Sequence, residues 1–326
     1  MVIDVHAHYI PTGVFEKNSY YDFFNIKKER ETETMYVNKK NMGPVSVGLM
    51  DLDRQLQDMD QCGIDLRFVS LPPFLFNYED EKCPAWSTEL NHAFSQETAN
   101  HKDRFRYLAT LPMSDVQRAL QELEKVRKDP LCAGIEIATN IAGMDLDNQK
   151  FDFFWGEIAK KNVFVLLHPH YTIRSPRLDR FYLRNVIGNP LDTTIAAFVL
   201  MTGNVIRKYP NISICLSHAG GYTPYAIARF EHARKTRQEL KNVDIAYQDG
   251  CKHFYYDTVL HDAETLQFVK NKVTAARLLM GTDYPFDMGD NEPVHTISSM
   301  DLSREEKDDI LGGNVIKALS GKGILE

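Results

Sequence analysis

The chain has 326 residues, 43% of them hydrophobic and none in a low-complexity tract, enough for one large α/β core or two smaller ones. Its formal charge of −7 argues against nucleic acid as a partner, since a phosphate backbone needs a basic face, and points to a small organic molecule instead. Five cysteines, odd in number and never in C-x-x-C spacing, exclude a disulfide framework and a thiolate zinc site; with no signal-type start and no membrane-length apolar run, the expected setting is cytoplasmic and away from membranes.

Val2-Ile3-Asp4-Val5-His6-Ala7-His8 reads as a buried strand. Side chains two apart on a strand share a face, so His6 and His8 converge, and neutral imidazoles are good ligands for zinc and similar divalent ions. Tyr9-Ile10-Pro11 stops the strand, and roughly forty residues without clear period follow, a length expected of a lid, a binding loop or disorder. Asp51 to Gly63 reads as a first helix, with Leu52, Leu56 and Met59 on one face and Gly63 as the stop. Asp65 to Pro72 is the second strand, and Ser87 is expected to open a helix that runs to about Lys102.

The alternation then repeats. Strands are expected over Phe105–Leu111, Ala133–Thr139, Val163–Pro169, Asn211–His218, Phe254–Leu260 and Leu278–Asp283. Helices are expected over Val116–Lys128, Phe151–Lys161, Thr193–Lys208, Tyr222–Leu240, Asp262–Lys272 and Ser303–Leu319. Eight nearly continuous apolar strands alternating with helices predict an α/β fold, a (β/α)8 TIM-type barrel formed by a single domain over 1–326, with a long lid or insertion at about 10–50 after strand one. The competing doubly wound sheet lacks its usual G-x-G-x-x-G or phosphate loop at the first strand-to-helix junction.

Catalytic groups of such a barrel sit at the carboxyl ends of its strands. Here those ends carry His6 and His8, His168, His218 and Asp283, a set suited to a metal. A catalytic zinc keeps three or four protein ligands and an open position, which fits His6, His8, His168 and Asp283. His218 is then left to take and return a proton as an unligated imidazole beside the metal, and Ala219-Gly220-Gly221 beside it would let backbone approach a ligand. Strand four ends Glu136-Ile137-Ala138-Thr139 without a lysine, so no carbamylated lysine bridges two metals and a single ion is expected. His170 is expected to line the site or face solvent, Asp4 to be a buried polar residue near the barrel floor on the parity of His6, and Glu136 to belong to an interior network.

Beyond these ligands, several segments carry a resemblance over nearly the whole chain: Val5-His6-Ala7-His8, Met59-Asp60-Gln61, Thr110-Leu111-Pro112-Met113, His168-Pro169 and Thr193-Thr194-Ile195-Ala196, then Ser217-His218-Ala219-Gly220-Gly221 and Gly281-Thr282-Asp283-Tyr284-Pro285-Phe286. The chain resembles the metal-dependent decarboxylases of the amidohydrolase superfamily, above all their aminocarboxymuconate-semialdehyde branch. The resemblance implies zinc on His6, His8, His168 and Asp283, His218 as acid/base, Phe286 against the substrate, and a homodimer. It also implies two arginines on a substrate carboxylate, the second supplied by the neighbouring subunit. That one matches Arg229, whereas the first falls near Ser46, in Pro44-Val45-Ser46-Val47-Gly48, where no arginine stands. Only arginine offers a charged bidentate fork, so a mono-acid such as an ortho-hydroxybenzoate needs less from this position.

The expected activity is non-oxidative decarboxylation of an unsaturated or aromatic carboxylic acid, with zinc (manganese the alternative) and no organic cofactor. The rivals are a metal-dependent hydrolase or hydratase of a small carboxylated substrate, and a barrel that only binds a metabolite or partner.

Overall fold

The computed structural model describes residues 1–14, 23–29, 32–170 and 172–320. Strand β1 (Ile3–His8) is followed by an insertion with three antiparallel strands, β2 (Phe24–Glu29), β3 (Thr32–Val37) and β4 (Lys40–Pro44). Next come β5 (Leu66–Ser70), β6 (Phe105–Thr110) and β7 (Cys132–Ala138), a small hairpin of β8 (Asn140–Ile141) and β9 (Met144–Asp145), and then β10 (Phe164–His168), β11 (Ser213–Leu216), β12 (Tyr255–Asp257) and β13 (Leu278–Leu279). Eight of these pair in the order β1-β5-β6-β7-β10-β11-β12-β13, all parallel. The ring closes just beyond β13, where Val5 N–H donates to the Met280 carbonyl, Thr282 and Asp283 N–H to that of His6, and His8 N–H to that of Tyr284. With helices between the strands, this is the (β/α)8 barrel read from the alternation.

One buried cluster joins Ile3, Val5, Phe68, Leu108, Phe164, Leu166, Cys215 and Leu279, residues of six strands spread around the ring, so it fills the barrel's interior. Val315 and Leu319 from the closing Asn314–Leu319 helix plug its lower end. A second, larger cluster packs the outer faces of the strands against the helices. Parallel strands buried on both faces in this way need unbroken apolar runs, which is why the strands were legible.

Helix α1 (Leu52–Cys62) starts at an Asp51 cap that accepts from Arg54 N–H and stops at left-handed Gly63, as read. Helix α2 (Cys83–Ala99) begins earlier than expected: Pro84 sits in its first turn, and Ser87 is buried within the helix instead of capping it. Helices α3 (Val116–Val126) and α4 (Asp152–Lys160) fall where expected, while the long helix after β10 splits into α5 (Asn189–Thr202) and α6 (Val205–Lys208) at left-handed Asn204. Helix α7 (Thr223–Thr236) follows β11. The insertion corrects another expectation, since β2 to β4 give it regular structure; Phe24, Met35 and Val37 are buried, with Phe24 opposite Val37 and Ile26 opposite Met35. The loop read as beginning at Tyr171 starts outside the described residues, as do parts of the insertion.

Candidate metal centre

A register shift in β1 between Asp4 and Ala7 decides which side chains enter the barrel. Such a bulge adds a residue to one strand and resets its parity. Ile3 and Val5 fill the interior, and so do His6 and His8, whereas Asp4 turns outward. There Asp4 accepts from Arg67 Nε at 2.8 Å and Thr282 Oγ1 at 2.7 Å, and Arg67 reaches Gln55 of α1. The expected parity of Asp4 with His6 is therefore broken by the bulge, and Asp4 locks strand ends to a helix.

His6, His8, His168 and Asp283 meet at the carboxyl ends of β1, β10 and the extension of β13, all four buried, with candidate ligand atoms within 4.8 Å of one another. Asp283 Oδ1 lies 3.3 Å from His6 Nε2, 3.1 Å from His8 Nε2 and 3.9 Å from His168 Nε2. The opposite ring nitrogens are held from outside: His6 Nδ1 by Asp257 at 2.6 Å, His8 Nδ1 by the Ser70 hydroxyl at 3.3 Å, and His168 Nδ1 by the Pro169 carbonyl at 3.0 Å. Outer partners of this kind fix tautomers and aim the free nitrogens at one point. His168 Nε2 is buried without a hydrogen-bond partner, an orphaned lone pair of the sort a cation satisfies.

The electrostatics agree with that reading. Burial holds His168 down to about 3 and lowers His8, so both rings present lone pairs at neutral pH. Burial also opposes charge on His6, yet Asp283 and Asp257 override it and raise His6 well above its ordinary value, marking the point as one that draws positive charge. For Asp283 burial would raise the acid, but the charge on His6 and the nearby rings of His168 and His218 hold it well below the usual carboxylate range. Three imidazoles and a carboxylate, aimed inward and buried, fit one divalent ion.

His218 stands beside the set, its Nε2 3.4 Å from Asp283 Oδ2. It follows β11 in a tight turn where His218 (φ 52°), Ala219 (φ 50°), Gly220 and Gly221 are all left-handed, and Asp283 (φ 58°) shares that conformation. Strained backbone of this sort gathers at functional sites. The Asp257 carboxylate holds the turn, accepting from His218 N–H at 2.9 Å and Ala219 N–H at 2.7 Å while also gripping His6. The two glycines serve packing: a Cβ on Gly221 would lie 2.0 Å from the Pro190 carbonyl oxygen, and one on Gly220 2.6 Å from the Tyr256 ring. Sequence reading assigns Asp257 no role; its signal was an acidic residue inside the apolar run Phe254–Leu260, since a buried carboxylate requires partners.

A cavity of about 780 Å³ opens onto His168 and Asp283. Phe286 lines it, its ring 5.0 Å from that of His8, and so do Ser46 and His170, the latter pushed down to about 4 by burial. Arg229 does not line it: exposed on α7, it makes no ion pair or hydrogen bond among the described residues. Its neighbour one turn back, Tyr225, is 82% exposed and lines an apolar groove of about 460 Å³ that starts at His218. Glu136 also departs from expectation: it faces the interior beside Leu166, neither oxygen is hydrogen-bonded, and burial pushes it up to about 8 against the offsetting influence of His6 and Ser70, so it is no part of a polar network.

The chain is similar to the 2-amino-3-carboxymuconate-6-semialdehyde decarboxylase of Dictyostelium discoideum, 28% identical over 326 residues that cover 97% of this chain and 91% of the relative. Among solved structures it is similar to the apo form of an IDCase from Metarhizium anisopliae, with a TM-score of 0.86, 21% identity and coverage of 98% and 97% of the two chains. A dihydroxybenzoic acid decarboxylase from Polaromonas sp. JS666, solved with manganese and 2-nitroresorcinol, gives a TM-score of 0.75 at 20% identity, covering 98% and 96%. Residues 3–320 match the Amidohydrolase family model, and the chain belongs to that family.

Proposed function

We propose that the protein is a metal-dependent, non-oxidative decarboxylase, a carboxy-lyase that releases carbon dioxide from an unsaturated or aromatic (ortho-hydroxy or ortho-amino) carboxylic acid. The observation that carries this is the pairing of a four-donor site, His6, His8, His168 and Asp283, with a separate imidazole, His218, 3.4 Å from the outer oxygen of the carboxylate ligand. The Dictyostelium relative, alike over nearly its whole length, supports the same reaction class. The chain works as one barrel domain over 1–326, with the insertion at about 10–50 as a cover over the cavity. Zinc suits three imidazoles and a carboxylate, and manganese, present in the Polaromonas structure, is the alternative. No organic cofactor is required. Free cysteines and the absence, among the described residues, of a helix able to cross a membrane accord with a cytoplasmic enzyme.

When bound, the ion supplies positive charge that fixes the substrate carboxylate and stabilises negative charge developing on oxygen. His218 delivers a proton from Nε2 to the carbon that bears the carboxylate, the carbon–carbon bond breaks, its electron pair returns to the unsaturated system and carbon dioxide leaves; His218 regains a proton from solvent. Asp257 keeps the His218 turn in place during this transfer. Phe286 offers a face to the substrate ring. The test is carbon dioxide release from a panel of ortho-hydroxy and ortho-amino acids by zinc- and manganese-loaded protein. Conversion of esters, lactones or alkenes with no carbon dioxide from any acid would replace this reading with the hydrolase or hydratase one.

The homodimer belongs to this proposal. Arg229, exposed on α7 one turn beyond Tyr225 and outside the lining of its own chain's cavity, would serve a neighbouring subunit's site in such a dimer. Arg229→Ala is expected to cost substrate affinity and turnover while sparing metal content, because truncating one member of a desolvated charge pair costs roughly 2–5 kcal/mol. Mixing inactive Arg229→Ala with inactive His218→Asn should restore about a quarter of the wild-type rate, since half the dimers are mixed and one site in each receives both intact groups. No recovery in verified mixed dimers would assign Arg229 to its own chain or to structure alone.

A further inference from the structure

The cavity in front of the metal centre has two kinds of wall. At the reactive end Phe286 and Phe74 stand with rings 6.2 Å apart. A second wall comes from the insertion and the segment after it: Met35 on β3, Met42 on β4, then Val45 and Leu49. Besides His168 and Asp283 of the metal centre and four prolines, the remaining lining is polar but uncharged, as with Ser46, Asn185 and Asn189, apart from Asp287, which accepts from the Tyr182 hydroxyl at 3.4 Å. No lysine or arginine is among the described residues that line the cavity. At about 780 Å³ it is also far larger than a bare ring needs, roughly 150 Å³ being enough for benzene.

From these walls we infer that the substrate is a monocarboxylic aromatic acid carrying an apolar, uncharged substituent, an alkyl or aryl group held by the methionine-lined insertion, and not a dicarboxylate; this rests on the decarboxylase reading above. A second carboxylate placed against those apolar side chains would give up water and would find no lysine or arginine among the described residues that line the cavity. The one cation proposed to enter from outside, the partner subunit's Arg229, is a single charge, and the departing carboxylate needs it. Methionines, unbranched and polarisable, adapt to irregular apolar groups, whereas an arginine at position 46 would have favoured a second anion. Ser46 is thus a specificity-determining position, and it opens the cavity to bulk.

The experiment uses the zinc-loaded full chain and calorimetric binding of 2-nitrophenols, in which the nitro group stands in for the departing carboxylate and cannot leave. Three are compared: unsubstituted, bearing a propyl group, and bearing a carboxylate on the same ring carbon. The expected order is propyl tighter than unsubstituted by about tenfold and carboxylate weaker than propyl by about 100-fold or more. Ser46→Arg is expected to reverse part of this, strengthening the carboxylated compound and weakening the propyl one. Carboxylated binding equal to or tighter than propyl, or no measurable binding of the propyl compound, overturns the inference. Carbon dioxide release is measured separately on the matching salicylates. If the binding order holds while no acid loses carbon dioxide, the pocket assignment stands and the decarboxylase reading falls; release from dicarboxylates in preference to alkyl salicylates removes the inference and leaves that reading intact.

Discussion

Purified protein carries close to one divalent ion per chain, and Asp283→Ala lowers that to near zero: this is the expected result of elemental analysis on the two proteins after identical metal loading. Asp283 supplies the only carboxylate of the four-donor group, and its Oδ1 sits between 3.1 and 3.9 Å from all three imidazole Nε2 atoms, so it is the donor that all the others share. The three histidines alone keep their outer hydrogen bonds to Asp257, Ser70 and Pro169 and remain aimed at one point. They lack the negative charge that offsets burying a dication. Binding to the native state alone also raises stability by mass action, by about 2.7 kcal/mol at a hundredfold excess over the dissociation constant. Added zinc should therefore raise the melting temperature of the wild type and leave that of Asp283→Ala unmoved. Full occupancy in the variant, or none in the wild type, would remove Asp283 from the ligand set.

Much of the site was legible because a barrel places chemistry at strand ends, and period-2 reasoning on Val2–His8 brought His6 and His8 together although the bulge after Asp4 had reset the parity. The same bulge is why Asp4 was misplaced: nothing in an apolar-polar pattern announces an extra residue in one strand. The insertion hid its strands for another reason. Phe24 and Ile26 pair with Val37 and Met35, but the alternation is only two residues long on each strand before Lys27, Lys28 and Glu29 or Glu33 interrupt it, and the segment reads as a loop. Boundaries slipped where single residues outweigh periodicity, at Pro84 in the first turn of α2 and left-handed Asn204 between α5 and α6. Asp257 was out of reach on a stronger ground. Its value lies in bonds to His6, 251 positions away, and to the backbone of the His218 turn, contacts that exist only once the barrel has closed.

His218→Asn should keep fold and metal yet lose turnover by roughly 10²- to 10⁴-fold, the usual worth of a positioned proton transfer. Asparagine retains a planar polar group near Asp283 Oδ2 and leaves the left-handed turn in place, a conformation asparagine tolerates better than most residues. What it removes is a ring nitrogen that can carry a proton and pass it on. His218 contacts Asp283 through Oδ2, whereas the three other imidazoles approach Oδ1, so the metal site survives the change with its donors intact. The decisive readout is the pairing of metal content with kcat: unchanged metal and collapsed kcat identify His218 as the proton carrier. Parallel loss of metal would make it a fifth ligand, and turnover equal to wild type would take it out of the mechanism. Asp257→Asn provides the internal contrast, because it loosens the His6 ring and the His218 turn together; outer partners of metal-bound histidines are worth about 10- to 100-fold in affinity or activity, so its loss should show in metal affinity as well as in kcat.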